Sequence, residues 1–131
     1  MLSELSNLVE NYRSKLKLRL VVLFGSRARG DYTDWSDIDV LVVADDLPRD
    51  PRECFAVLRN IGFARVHPIG FNTESFLKKL REGSTFIIEI LEEGKILFED
   101  TDFLKEVMNI YKEVRSRYAK QGRTWTMISP A

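Results

Sequence analysis

Phe24-Gly25-Ser26-Arg27-Ala28-Arg29-Gly30-Asp31, running on through Ser36 into Asp37-Ile38-Asp39-Val40, is the stretch whose reading decides the fold. Just before it, Leu18–Phe24 is short, rich in valine and leucine and followed by a glycine, which is the pattern of a buried strand. Residues 38–43 form a second apolar run of strand length. The connection 26–36 is polar and turn-rich, with Gly30 inside it. Side chains alternate along a strand, so Asp37 and Asp39 project on one side while Ile38 and Val40 enter the opposite, apolar face. Two carboxylates therefore converge beside a glycine turn.

Carboxylates held side by side repel, and each raises the other's pKa unless a cation compensates them. Oxygen-only ligation favours magnesium, calcium or manganese. Magnesium in particular takes one or two protein carboxylates and completes its shell with water and substrate phosphates. The neighbouring turn suits such a phosphate. Gly25 allows close backbone approach, and the Ser26 hydroxyl and the amides after it can donate hydrogen bonds, above all if a helix starts there. Arg27 and Arg29 add charge complementary to phosphate oxygens. Taken singly, each piece has an ordinary reading: Asp-x-Asp as a solvated strand end, Gly-Ser as a turn, the arginines as surface charge, and Ser36 as a turn residue at the start of the second strand. Their combination between two buried strands is what points to nucleotide chemistry.

Outward from this segment the pattern is a mixed α/β one. Leu5, Leu8, Val9, Tyr12 and Leu16 recur at helical spacing after Ser3, a plausible N-cap. Asp50-Pro51-Arg52-Glu53 combines a capping aspartate with proline at the first helical position, so a helix should run to about Ile61 and stop at Gly62. Residues 63–71 can form a third strand, and Pro68 places it at an edge or on a bulge. Asn72 or Thr73 should cap a short helix through Leu80. Residues 84–92 read as a helix ended by Gly94, 95–98 as a short strand, and 101–120 as a long last helix with Tyr118 at the end of its apolar stripe. Beyond it, Trp125, Met127 and Ile128 either fold back on the core or dock on another chain.

The 131 residues suffice for one hydrophobic core and would cover two poorly. Twenty basic and 20 acidic residues cancel, so no overall charge draws the chain to a nucleic-acid backbone or an anionic membrane. Cys54 is the single cysteine, which excludes an internal disulfide and a cysteine-based zinc site and fits a reducing cytoplasm. No apolar run approaches the roughly 20 residues that span a bilayer. A cytoplasmic location is the expectation.

The residues resemble the minimal nucleotidyltransferases of the DNA polymerase beta superfamily. Their hallmark is Gly-Ser, roughly ten residues, then Asp-x-Asp, which Gly25, Ser26, Asp37 and Asp39 match. The resemblance is specific between Phe24 and Val43 and weaker from Pro51 to Asp100. It implies an α/β (α+β) fold, a small mixed β-sheet flanked by helices, with residues 1–121 as one nucleotidyltransferase domain and 122–131 as a tail. It also implies that Ser26, with Gly25, Arg27, Arg29 and Ser36 around it, binds the triphosphate of ATP, and that Asp37 and Asp39 hold Mg2+. The family places a third carboxylate on the next strand. Here His67 stands at that place, where a neutral imidazole could ligate a metal or act as base but supplies no negative charge. Glu74 and Glu89 are the other candidates for that role, although both fall on expected helices.

Many members of the superfamily act beside a small helical HEPN protein and adenylylate one of its tyrosines, so the resemblance implies transfer of AMP from ATP to a hydroxyl of a HEPN toxin partner, with antitoxin action as the result. The alternative is a nucleotide-binding module without activity that neutralises its partner by covering it. Polymerisation on a nucleic acid is disfavoured, because no further basic domain is present to hold a strand. Phe63, Phe71 and the tail offer apolar surface for a homodimer or a mixed assembly.

Overall fold

The structure, a computed structural model, describes residues 2–33 and 36–128, with the side chain of Leu2 left aside. The last three positions of the expected tail, Ser129, Pro130 and Ala131, lie outside the described residues, as do Asp34 and Trp35 of the connection. In chain order the elements are α1 (Leu2–Lys15), β1 (Leu18–Phe24), α2 (Ser26–Arg29), β2 (Ile38–Ala44), α3 (Pro51–Ile61), β3 (Val66–Asn72), α4 (Thr73–Arg81), α5 (Thr85–Glu93), β4 (Lys95–Glu99), α6 (Thr101–Arg115), β5 (Tyr118–Gln121) and β6 (Thr124–Met127).

Four strands form one mixed sheet in the order β3-β2-β1-β4. β1 runs antiparallel to both β2 and β4, whereas β2 and β3 are parallel and joined through α3. The expected mixed sheet flanked by helices is therefore the fold observed. Pro68 lies on β3, an edge strand, where a residue without an N–H is tolerated.

Strand alternation divides the interior in two. Val21, Leu23, Ile38, Val40, Val42 and Val66 face Leu5, Leu8 and Tyr12 of α1 and Cys54 and Leu58 of α3. Leu20, Val22, Leu41, Val43 and Phe71 face Phe76 and Leu80 of α4, Ile87, Ile88 and Ile90 of α5, and Phe103 and Val107 of α6. Being covered on both faces, β1 and β2 read as continuous apolar runs rather than as alternating ones. Caps support the helix starts: Asp50 accepts from the Arg52 N–H at 2.8 Å, Asn72 from Ser75 at 2.8 Å, Ser84 from Ile87 at 3.3 Å and Asp100 from Phe103 at 3.0 Å. Ser3 is not the cap expected of it, since α1 already includes Leu2.

The chain departs from expectation after α6. The helix ends at Arg115, not near Lys120, and Tyr118 belongs to a hairpin in which Tyr118 pairs with Met127 and Gln121 with Thr124. Gly122, at φ 60°, makes the turn. Tyr118 looked like one more position of a helical stripe, but its ring meets Trp125 edge-on at 6.0 Å and its hydroxyl donates to the Gly83 carbonyl at 2.8 Å. Trp125 carries the Arg115 guanidinium at 4.8 Å and the Lys120 ammonium at 5.0 Å over its ring. It folds back on the molecule, while Met127 and Ile128 remain exposed. The apolar surface expected at Phe63 and Phe71 is largely absorbed: Phe71 is buried in the α4–α6 cluster and Phe63 packs against the α1–α3 cluster. Among the described residues no helix is long and apolar enough to cross a membrane.

At the end of the sheet where β2 finishes, Arg19 binds the Asp45 carboxylate through two nitrogens at 2.7 and 3.0 Å and reaches Asp100 at 2.8 Å, and the Thr73 hydroxyl donates to Asp45 at 2.6 Å. The Arg19 hydrogen bond, and then that from Thr73, hold the Asp45 carboxyl below its ordinary 3.8. A carboxylate depressed in the folded state stabilises it fully above that ordinary value and ceases to do so as pH falls through the lowered one. The melting temperature of Asp45→Asn should thus lie below that of the wild type at pH 7, and the gap should close as the pH drops below 3.8; a gap independent of pH would rule this linkage out.

Candidate active site

The site is assembled where β1 hands over to β2. Phe24, the last residue of β1, stands opposite Asp39 in the ladder, and Gly25 follows at φ 73°, ψ −154°. This backbone region is almost reserved for glycine. There is a second constraint, because a Cβ built on Gly25 would overlap the Asp39 carboxylate. The turn passes over that carboxylate only because no side chain intervenes. Ser26 then opens α2, whose single turn is closed by hydrogen bonds from the Ala28 and Arg29 N–H groups to the Gly25 carbonyl, each at 3.1 Å, and ends at Gly30, φ 86°. The polar connection thus opens with a short helix directly after Gly25.

Two of the residues read as phosphate contacts organise the loop. Arg27 is 6% exposed; it donates to the Ser36 carbonyl at 3.0 Å and lies 4.4 Å above the Tyr32 ring. The Ser36 hydroxyl accepts from the Thr33 N–H at 3.0 Å and meets the Thr33 hydroxyl at 3.3 Å. Arg29 is outside this cluster, with its side chain 32% exposed and within 3.3 Å of Asp31. Its charge reaches Asp39.

Asp39 and His67 stand side by side across the parallel ladder, with Nδ1 and Oδ1 3.8 Å apart. That is an ion-pair distance and not a hydrogen bond. Both share the sheet face of Leu41, Val43 and Phe71, whereas Ile38 and Val40 lie in the opposite cluster. Desolvation pushes the Asp39 carboxyl above its ordinary value, the nearby Asp37 adds to that, and His67 and Arg29 work against it. Asp37 is exposed and lies one residue ahead of β2. The other carboxylates considered do not join them. Glu74 follows the far end of β3, ion-paired with Arg49 at 3.1 Å, and Glu89 on α5 is 3.2 Å from Lys120. Among the described residues no group of three or more His, Cys, Asp or Glu side chains is placed to hold a metal ion on its own. Two carboxylates, one of them desolvated beneath a glycine turn, nevertheless fit a cation that takes its remaining ligands from water and substrate phosphate.

Sequence reasoning missed the wall of the site. A cavity of about 190 Å³ opens beside Gly25 and Arg29, bounded by Phe24, by Phe86, Glu89 and Ile90 of α5, and by Arg123 at the tip of the hairpin. On the His67 side a wider groove of about 400 Å³ runs past Phe55, Phe71 and Lys79 to the same Phe86. Nothing local marked Phe86, which reads as one more apolar residue of a helix; the structure places it on the border of both cavities.

Comparison with known proteins identifies the family and the fold. A family model described as polymerase beta, nucleotidyltransferase, matches residues 5–103. A protein of Methanocaldococcus jannaschii named for a proposed protein adenylyltransferase activity is 28% identical over 136 residues, with 92% of each chain covered. A second from the same organism, named likewise, is 39% identical over 92 residues, covering 70% of this chain and 87% of its own. Among solved structures, a complex of a tri-AMPylated Shewanella oneidensis HEPN toxin with its MNT antitoxin aligns with a TM-score of 0.52 at 20% identity, covering 88% of this chain and 89% of that one. The fold is that of the polymerase beta-like nucleotidyltransferases. The chain belongs to the polymerase beta nucleotidyltransferase family, as the Gly25-Ser26 and Asp37-x-Asp39 pattern led us to expect.

Proposed function

We propose that the protein transfers AMP from ATP to a hydroxyl of another protein, a tyrosine of a HEPN-type toxin being the favoured acceptor, and so acts as an antitoxin in the cytoplasm. The observation that carries this reading is the Asp39 carboxylate pressed beneath the Gly25 turn with Asp37 beside it. The names of the M. jannaschii relatives and the AMPylated state of the S. oneidensis complex support it.

In this mechanism the turn of Gly25 and Ser26 receives the triphosphate, the Ser26 hydroxyl and the amides of α2 donating to its oxygens. Arg29 adds positive charge, and Arg27, through Ser36 and Tyr32, keeps the loop that carries Asp37 in place. Asp37 and Asp39 would hold Mg2+, which when bound neutralises phosphate charge and lines up attacking and leaving oxygens. His67, which lines the groove, would assist the acceptor hydroxyl from that side. The acceptor comes from the partner, and no stable nucleic-acid binding is involved.

Incubation with radiolabelled ATP, Mg2+ and a HEPN-type partner protein should transfer label to that protein. Intact partner binding without label transfer would instead select a binding-only antitoxin, the reading that a histidine in the third-carboxylate place favours. His67→Asp separates two roles for the imidazole: a rise in transfer marks it as what holds activity down, and a fall marks it as an adapted base.

A further inference from the structure

We infer that the cavity between Phe24 and Phe86 is a nucleobase subsite, which fixes where the nucleoside end of the substrate lies and brings the C-terminal hairpin into the site; this rests on the nucleotidyltransferase reading above. Its place is the first argument. Gly25 belongs both to the turn over Asp39 and to the cavity's floor, so a triphosphate on that turn has this opening immediately beside it. Its size is the second. At about 190 Å³ it is smaller than the roughly 300–1,000 Å³ of pockets that enclose a drug-sized ligand, and suits one planar ring system rather than a peptide segment.

Its chemistry is the third argument. Phe24 and Phe86 meet edge-on, with ring centres 5.9 Å apart, and with Ile90 they make apolar walls on which an aromatic base can stack. The rim is polar: Glu89 offers a carboxylate to ring and exocyclic N–H groups, and Arg123 offers donors to ring nitrogens and carbonyl oxygens. Lys120, bound to Glu89 at 3.2 Å and carried on the same hairpin as Arg123, holds that rim to α5.

The test compares binding of Mg2+-ATP and of Mg2+-tripolyphosphate, which lacks base and sugar, to the wild type and to Phe86→Ala. Phe86 is half-exposed, so the variant should fold, and circular dichroism checks that. The expected result is an ATP affinity lowered about tenfold with tripolyphosphate binding unchanged, and recovery of ATP affinity in Phe86→Tyr. Unchanged ATP affinity overturns the subsite, as does equal weakening of both ligands. So does a variant that binds ATP normally but needs more acceptor protein for half-maximal transfer, since the cavity would then receive the acceptor's tyrosine. Failure of the wild type to bind either ligand removes the nucleotidyltransferase reading itself, and the subsite with it, whereas tripolyphosphate binding that survives in Phe86→Ala beside normal ATP binding removes the subsite alone.

Discussion

Asp39→Asn should lower label transfer by about three orders of magnitude while raising the melting temperature measured without metal. The first effect follows from the several kcal/mol that a bound cation contributes to stabilising transition-state charge, at about 1.4 kcal/mol per decade of rate. The second follows from the folded protein itself. Desolvation, with Asp37 adding to it, raises the Asp39 pKa, so at neutral pH the ionised carboxylate costs the native state stability that the unfolded state does not lose. Asparagine keeps the shape and removes the charge. Activity and stability are then opposed at one residue, as is common where a site is built for a ligand. Adding Mg2+ with ATP should restore stability to the wild type and do little for Asp39→Asn. Full turnover in the variant would end the metal assignment, and a fall in its melting temperature would contradict the electrostatic account of the apo protein.

Gly25→Ala carries the second large effect. The change adds one methyl group, yet it meets two separate obstacles. At φ 73° and ψ −154° an alanine adopts a strained backbone, at a cost of about 1–3 kcal/mol. Its Cβ would also overlap the Asp39 carboxylate, so either the turn or the aspartate must move. A displacement of about 1 Å at a reacting centre is enough to cost about 100-fold in rate. We expect a lower melting temperature and a transfer rate reduced by at least that factor. Gly30→Ala is the control: φ is 86° and ψ 6°, a left-handed position with open space where its Cβ would be, so it meets backbone strain alone and should destabilise less and retain far more activity. Equal activity loss in both variants would show that backbone strain, and not the closeness of Asp39, decides the result.

Much of the site was legible because its parts lie on one short segment. Alternation along β2 is enough to put Ile38 and Val40 in the core and turn Asp39 the other way, and the glycine ahead of Ser26 is a local signal of close approach. Arg27 shows the limit of such reasoning. As a residue type it suits phosphate, and spacing cannot distinguish it from Arg29, but folding of the loop buries one against Tyr32 and Ser36 and leaves the other partly exposed against Asp31. The end of α6 was misread for a related reason. Tyr118 fits a helical stripe as well as it fits a strand, and what decides is a ring partner, Trp125, and a carbonyl partner, Gly83, neither of which is in its own element.

From its amino-acid order alone, then, this protein has two buried strands, a glycine-serine turn between them and acidic groups at the start of the second, because periods of two and 3.6 residues and turn preferences act over a few neighbours. The family resemblance already put His67 at the third-carboxylate place; only the tertiary structure decided its register opposite Asp39, that Glu74 lies past the far end of β3, and that Phe86 and Arg123 close around Gly25. Those facts depend on strand register and on how α5 and the hairpin pack. Such arrangements are set by contacts between segments far apart in the chain, which no local pattern records.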